Sequence, residues 1–252
     1  MEAKIFDFEL GELFLVNKPI KWTSFDVVGK IRACIGQKKI KVGHAGTLDP
    51  LADGLLLVCT GKKTKQIDHF QALSKTYTGT LTFGATRPSF DLETEINERF
   101  PYEHITDIHI SKKIELFTGK IIQISPIYSA RRIGGVRAYE KARTGEIVKM
   151  DGREVMIHEF EKIKYESPVL SFKVVCSKGT YIRALASDLG KSLESGAYLS
   201  QLTRTSIGEY SLNSAWDLGN LCEEILKQNP QKRVFQSMKE NKNIKSFPHT
   251  KS

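Results

Sequence analysis

Residues 75 to 83 alternate without a break: Thr76, Thr78, Thr80 and Thr82 fall on one face, Tyr77, Gly79, Leu81 and Phe83 on the other. A period of two with one apolar face predicts a half-buried strand. Gly54 to Thr60 is instead apolar almost throughout and closed by Gly61, which predicts a strand buried on both faces. Shorter strands are expected over Leu13 to Val16, Lys120 to Ile124 and Val169 to Cys176. Ser24 reads as the N-cap of a helix to Ile35, with Phe25, Val28, Ile31 and Ile35 spaced for one buried face. Thr106 is expected to cap a helix to Thr118, Thr180 one that stops at Gly190, and a last helix covers Trp216 to Lys227. Strands and helices mix without regular βαβ alternation, so the expected class is α+β with a mixed, mainly antiparallel central sheet.

Composition narrows what such a sheet serves. The 252 residues, 40% hydrophobic, can bury a sizeable core. Lys and Arg number 38 against 29 Asp and Glu, a net charge of +9 that favours a polyanionic partner. Cys34, Cys59, Cys176 and Cys222 are widely spaced, so neither a zinc site nor a disulfide framework is expected. The first ten residues lack a basic start and a long apolar run, no segment approaches the roughly 20 apolar residues of a membrane span, and the cytoplasm follows by default. No internal repeat occurs.

The stretch from Lys41 to Gly61 concentrates the candidate chemistry. Gly43 and Gly46 permit close backbone approach, and proline after Asp49 biases that residue towards extended backbone, so its carboxylate stands on a loop braced by the buried strand. Asp before Pro is also an ordinary turn initiator. Basic clusters flank the stretch, Lys38, Lys39 and Lys41 before it and Lys62, Lys63 and Lys65 after it. The densest basic run, Arg131, Arg132, Arg137, Lys141 and Arg143, has Tyr128 and Tyr139 interleaved, a combination suited to looped RNA.

The string Gly43-His44-Ala45-Gly46-Thr47-Leu48-Asp49-Pro50-Leu51-Ala52-Asp53-Gly54 resembles the catalytic signature of the TruB family of tRNA pseudouridine synthases at eleven of twelve positions, Asp53 replacing a small hydroxyl residue. Further segments resemble that family in the same order between about residues 12 and 210: Lys18-Pro19 with Thr23-Ser24, where Lys21 replaces a glycine; Lys75-Thr76-Tyr77; Asp91, preceded by Arg87-Pro88 in place of Thr-Asp; Gln123 to Arg132; Gly179-Thr180-Tyr181-Ile182-Arg183; and Gly196 to Thr205, where Tyr198 and Thr203 replace His and Arg. The resemblance implies a pseudouridine synthase catalytic fold, a bent sheet with flanking helices and a central cleft. It implies Asp49 as nucleophile, Arg183 as its cation and Tyr77 against the target base. His44, Tyr181, Leu202, Lys18, Pro19, Asp91, Arg131 and Arg132 complete the implied substrate-binding set.

Turning uridine into its C-glycoside breaks the bond from the sugar to N1, rotates the base and bonds C5 to the sugar, with no redox change, so no cofactor and no metal are expected. One ionised carboxylate can attack the sugar C1′, attack the base C6 or assist through the C2′ proton, and these three routes stay open. A buried carboxylate needs a cation nearby, and the fork of Arg183 is expected to grip Asp49 in two places. The target base has to leave its stack to reach it. Tyr77 is the candidate for the proton transfer that finishes the product.

The resemblance implies as substrate the T-loop uridine at position 55 in the T-arm of tRNA, and no membrane, no obligatory protein partner and a monomer are expected. A catalytic domain is expected over 1–217 and a short helix with a basic tail over 218–252, six Lys or Arg against Glu240 in residues 228 to 252, with no separate C-terminal RNA-binding domain. A sister enzyme working inside a guide-RNA particle characteristically carries that domain. An RNA-binding protein with a dead site is the reading from another class, opposed by the intact set of Asp49, Tyr77, Tyr181 and Arg183.

Overall fold

In the computed structural model, which describes residues 5–126, 132–133, 136–137 and 151–228, both predicted sheet signals belong to one ten-stranded sheet. Its strands are β1 (Leu13–Lys18), β2 (Val42–His44), β3 (Asp53–Thr60), β4 (Lys75–Phe83), β5 (Gly119–Ile124), β6 (Gly152–Glu166), β7 (Val169–Cys176), β8 (Ala197–Ile207), β9 (Tyr210–Ser211) and β10 (Trp216–Asp217). The order is β10-β1-β3-β8-β4-β7-β6-β5, with β2 beside β3 and β9 beside β8. Pairing is parallel between β1 and β10 and between β3 and β8, and antiparallel elsewhere. The α+β class with a mixed, mainly antiparallel sheet is what forms.

The uniform apolarity of β3 has its expected cause. Leu56 and Val58 pack with helix α1 (Ser24–Ile35) and helix α5 (Leu218–Lys227), while Leu55, Leu57 and Cys59 pack with Phe70 and Ile207 on the opposite face. Helix α2 (Ile67–Ala72) carries Phe70. Helices α3 (Asp107–Leu116) and α4 (Ile182–Ser192) cover the apolar faces of β4, β6, β7 and β8, burying Ile110, Ile114, Leu185 and Leu189 against Leu81, Phe83, Phe172 and Val174.

Several boundaries differ from expectation. Helix α1 is capped by Thr23, whose side chain accepts from the Asp26 N–H while the Asp26 carboxylate accepts from the Thr23 N–H, a reciprocal capping box. That turns Phe25 outwards, 64% exposed, and buries Val27, Val28, Ile31, Cys34 and Ile35. Thr106 does cap α3, which ends at Leu116. Thr180 does not cap α4: its hydroxyl donates to the Ser177 carbonyl (3.0 Å), and Tyr181 stands at the N-cap without a side-chain bond. Two strands had no clean sequence signal. The 15 residues of β6 carry two register shifts against β7 that break the two-residue period. Strand β8 mixes Ser, Gln, Thr and Arg, yet it lies at the centre of the sheet between β3 and β4.

Among the described residues, no helix is long and apolar enough to cross a membrane.

Candidate active site

The segment from Ala45 to Ala52, between β2 and β3, is fixed by hydrogen bonds from three directions. The Ala45 N–H donates to the Leu57 carbonyl (2.9 Å), the Lys21 N–H donates to the Pro50 carbonyl (2.7 Å), and the Ala52 N–H closes a turn onto the Asp49 carbonyl (3.1 Å). The buried Ser24 hydroxyl accepts from the Leu48 N–H (2.9 Å) and donates to the Leu48 carbonyl (3.2 Å), tying the loop to the start of α1. Lys21, in place of the family's glycine, still takes the left-handed backbone that glycine favours, at φ 69°. The turn is kept and the lysine bears the strain.

Asp49 emerges from this loop with its side chain 39% exposed, and its Oδ2 lies 2.8 Å from Arg183 Nε. Arg183, third residue from the Tyr181 cap on α4 counting the cap itself, is buried. Its Nη1 donates to the Ser89 carbonyl (3.0 Å), and its Nε also lies 3.5 Å from Oδ2 of the buried Asp91. The expected two-point grip on Asp49 is thus replaced by a guanidinium shared between two carboxylates and a carbonyl. Sharing still holds the Asp49 charge in place, and the Asp49 side chain stays 39% exposed.

A cavity of about 570 Å³ opens in front of Asp49, and Tyr77, Tyr181, Arg183 and Leu202 line it with Asp49. Residues from β4, β8, α4 and the loop after β3's partner β2 therefore converge, as the separate sequence segments implied. Tyr77 is 8% exposed, and burial pushes its phenol up, against the opposing effect of the Arg204 guanidinium beside it. Tyr181 is held by the buried side chain of Gln123, whose amide donates to the Tyr181 carbonyl (3.0 Å) and accepts from its N–H (2.8 Å).

Among the cations in this cavity with no assigned role in the sequence, two are tied to backbone carbonyls. Arg204 on β8 is 1% exposed, and its Nε donates to the Leu55 carbonyl (2.7 Å) while Nη2 and Nη1 reach the carbonyls of Gly46 (3.0 Å) and Thr47 (3.5 Å). Gly54 makes this approach possible: a Cβ there would sit 2.4 Å from the Arg204 carbonyl oxygen. Lys75 donates to the carbonyls of Gln71 and Leu73 (2.6 Å each), and burial brings its ammonium down to about 8. Nothing local marks an arginine in a mixed polar strand as buried.

The other predicted residues fall around the cavity. Lys18 is fully buried, donates to the carbonyls of Pro19 (3.0 Å) and Trp22 (2.6 Å), and is brought down to about 8 by burial, an effect that Asp53 and Asp49 oppose. His44 lies outside the cavity lining, with Phe25 edge-on to its ring at 5.2 Å, and burial lowers its imidazole, assisted by Arg204. Asp91 lines a smaller apolar pocket on the other side of the Asp49 and Arg183 pair, with Ile20, Leu51 and Leu199. Arg131 and Tyr128 lie outside the described residues, and Arg132 is described only as backbone in a two-residue ladder.

Departures from the family pattern meet one another in space. The Arg87 guanidinium stacks over the Tyr198 ring at 4.7 Å. Asp53 and Thr203 stand opposite each other where β3 and β8 pair.

Comparison with known proteins gives the same direction. The family described as TruB family pseudouridylate synthase (N terminal domain) matches residues 32–182. The tRNA pseudouridine synthase B of Flavobacterium johnsoniae is 51% identical over 221 residues, covering 86% of this chain and 96% of that protein. The protein of the same name from Parabacteroides distasonis is 50% identical over 227 residues, covering 88% and 96%. Among solved structures, a chain from a Cbf5-Nop10-Gar1 complex superposes with a TM-score of 0.66 at 24% identity. This chain spans 59% of that longer one, and the likeness is one of fold. With relatives at half identity over almost their whole length, and a carboxylate, two tyrosines and an arginine converging where the family signature runs, this chain belongs to the TruB family of pseudouridylate synthases and is an isomerase.

Proposed function

We propose that this chain converts the T-loop uridine at position 55 of tRNA to pseudouridine, with Asp49 as the nucleophile. The observation that carries the reading is the ion pair of Asp49 with Arg183 at 2.8 Å on the wall of a cavity that Tyr77, Tyr181 and Leu202 also line. The tRNA substrate is taken from what the relatives are named for. The T-arm and position 55 rest on the resemblance of the separate segments.

Each route to the C-glycoside starts from an ionised carboxylate. Arg183 supplies the compensating charge without enclosing Asp49, whose side chain stays 39% exposed to an incoming nucleotide. Electrons of the bond between C1′ and N1 leave with the base; the base turns, C5 bonds to C1′ as any bond made by Asp49 is released, the C5 hydrogen departs as a proton and N1 takes up a proton from solvent, so the net change is an isomerisation. Tyr77 is protonated at neutral pH, since burial pushes its phenol up. It therefore works as a relay, taking the C5 proton while its own proton passes to solvent through the open cavity. Tyr181 and Leu202 hold the flipped base, and His44 contacts the nucleotides it leaves behind. Asp91 and the buried Lys18 with Pro19 act through Arg183 and the loop backbone, not by touching RNA. The catalytic unit is residues 1–217, acting as a monomer.

Tritium release from an unmodified T-arm stem-loop labelled at C5 of uridine tests this. Wild type should release tritium, whereas Asp49→Asn should release none and bind the stem-loop within about tenfold of wild type, since the shape is kept. Release by Asp49→Asn would overturn the nucleophile. Failure of wild type on both stem-loop and whole tRNA would overturn the substrate.

A further inference from the structure

We infer that Arg153 is a phosphate-binding residue of the cavity, taking a backbone phosphate of the nucleotide placed against Asp49. This rests on the reading just given and deepens it. Arg153, the second residue of β6, is half-buried and lines the same cavity as Asp49, Tyr77 and Tyr181. Its Nε is buried with no hydrogen-bond partner, and no ion pair to its guanidinium is found among the described residues. The neighbouring Glu154 is paired with Lys120 instead (3.2 Å).

The guanidinium is nonetheless held in position. It stacks over the Tyr181 ring, with Cζ 4.8 Å from the centroid. Its Nη1, Cζ and Nη2 atoms lie only 3.0 to 3.1 Å from where a Cβ on Gly179 would be, so the glycine leaves the space it occupies. Leaving a buried donor unpaired is costly, and an arginine carries five donors in a rigid fork. A fork fixed by stacking and facing a cavity is arranged for an anion. In RNA at neutral pH the uracil and the ribose are uncharged and the phosphodiester is the anion. Arg183 is already engaged with Asp49 and Asp91, and Lys75 and Arg204 with backbone carbonyls, whereas Arg153 keeps an unpaired buried donor on the cavity wall.

The test measures binding of the T-arm stem-loop against salt, from about 50 to 400 mM, for wild type, Arg153→Gln and Arg153→Lys, with tritium release in parallel. Loss of one phosphate contact should make the slope of log affinity against log salt shallower by about 0.7 to 0.9 in Arg153→Gln, and Arg153→Lys should restore it. KM should rise about ten- to a hundredfold with kcat unchanged, as for a contact made equally in ground and transition states. Stem-loops carrying single neutral methylphosphonate linkages probe wild type without any mutation: one linkage beside the target uridine should weaken wild type and leave Arg153→Gln unaffected. An unchanged salt slope, or neutral linkages that weaken both proteins equally, would overturn the inference, and a lower kcat with the slope intact would make Arg153 a prop for Tyr181. If wild type releases no tritium from the T-arm, the functional reading fails; if it does and the slope is unchanged, only the role of Arg153 fails.

Discussion

Two buried arginines face the same cavity, one from a helix and one from a strand, and their partners differ in kind. Arg183 on α4 looks at two carboxylates, Asp49 and Asp91. Arg204 on β8 looks at three carbonyls, those of Leu55, Gly46 and Thr47. A cation among carboxylates fixes charge, and the strength of that contact changes as the reacting carboxylate changes its charge or bonds. A cation among carbonyls fixes backbone shape and is indifferent to the reaction. The one corner is therefore built for turnover and the other for the loop that presents it.

Lysine replacements sharpen the contrast most, because they keep the charge and remove the fork. Arg183→Lys should lower kcat on the order of 10³-fold while the melting temperature stays within a few degrees of wild type, measured by tritium release and calorimetry. Arg204→Lys should do the reverse. Stranding two buried carbonyls is expected to remove about 2 to 3 kcal/mol, or about 4 to 12 °C of melting temperature, with less than a tenfold loss of kcat where the protein is still folded. If the two variants behave alike, the division between charge and shape is wrong.

Smaller effects refine it. Tyr77→Phe should lower kcat by about 10²-fold or more with KM nearly unchanged, since it removes the relay and keeps the ring; a raised KM with full kcat would make the phenol a binding group only. The smallest expected effect lies with Lys18. Burial brings its ammonium down from the ordinary 10.5 to about 8, so between those two pH values the unfolded chain binds more protons. Stability contributed by this group must then rise with pH across that window. The difference in unfolding free energy between wild type and Lys18→Met should shift in favour of wild type from pH 8 to 10, and a flat difference would show an unperturbed ammonium.

What could be read in the chain and what could not follows the same line between local and distant causes. Asp49 is presented by its own turn, and β4 shows its two faces by simple alternation, so the placement of Asp49 on its loop and of Tyr77 on the buried face was legible. The segment around Arg183 was recognisable by resemblance, but the sharing of its fork with Asp91 and the Ser89 carbonyl depends on a loop far away in sequence. Arg204 and Arg153 stand in strands whose period is broken or mixed, and their burial comes from neighbours rather than from their own segment. The substitutions at Arg87 and Tyr198, and at Asp53 and Thr203, each look like isolated departures until the sheet places them together. Phe25 misled because it stands at the edge of the helical face, where Val27, Val28, Ile31, Cys34 and Ile35 fill the core without it.

The position of β8 between β3 and β4 has a consequence for synthesis of the protein. Asp49, Tyr77 and Arg183 all leave the ribosome before the strand that joins their two halves of the sheet. Until Ala197 to Ile207 has emerged, β3 and β4 have no shared neighbour, and the loop of Asp49 lacks the arginine that shapes it. A nascent chain can carry every reacting group and still present no cleft, so its folding is governed by a long-range insertion that comes late. Assembly of the cleft is thereby coupled to the emergence of this one strand.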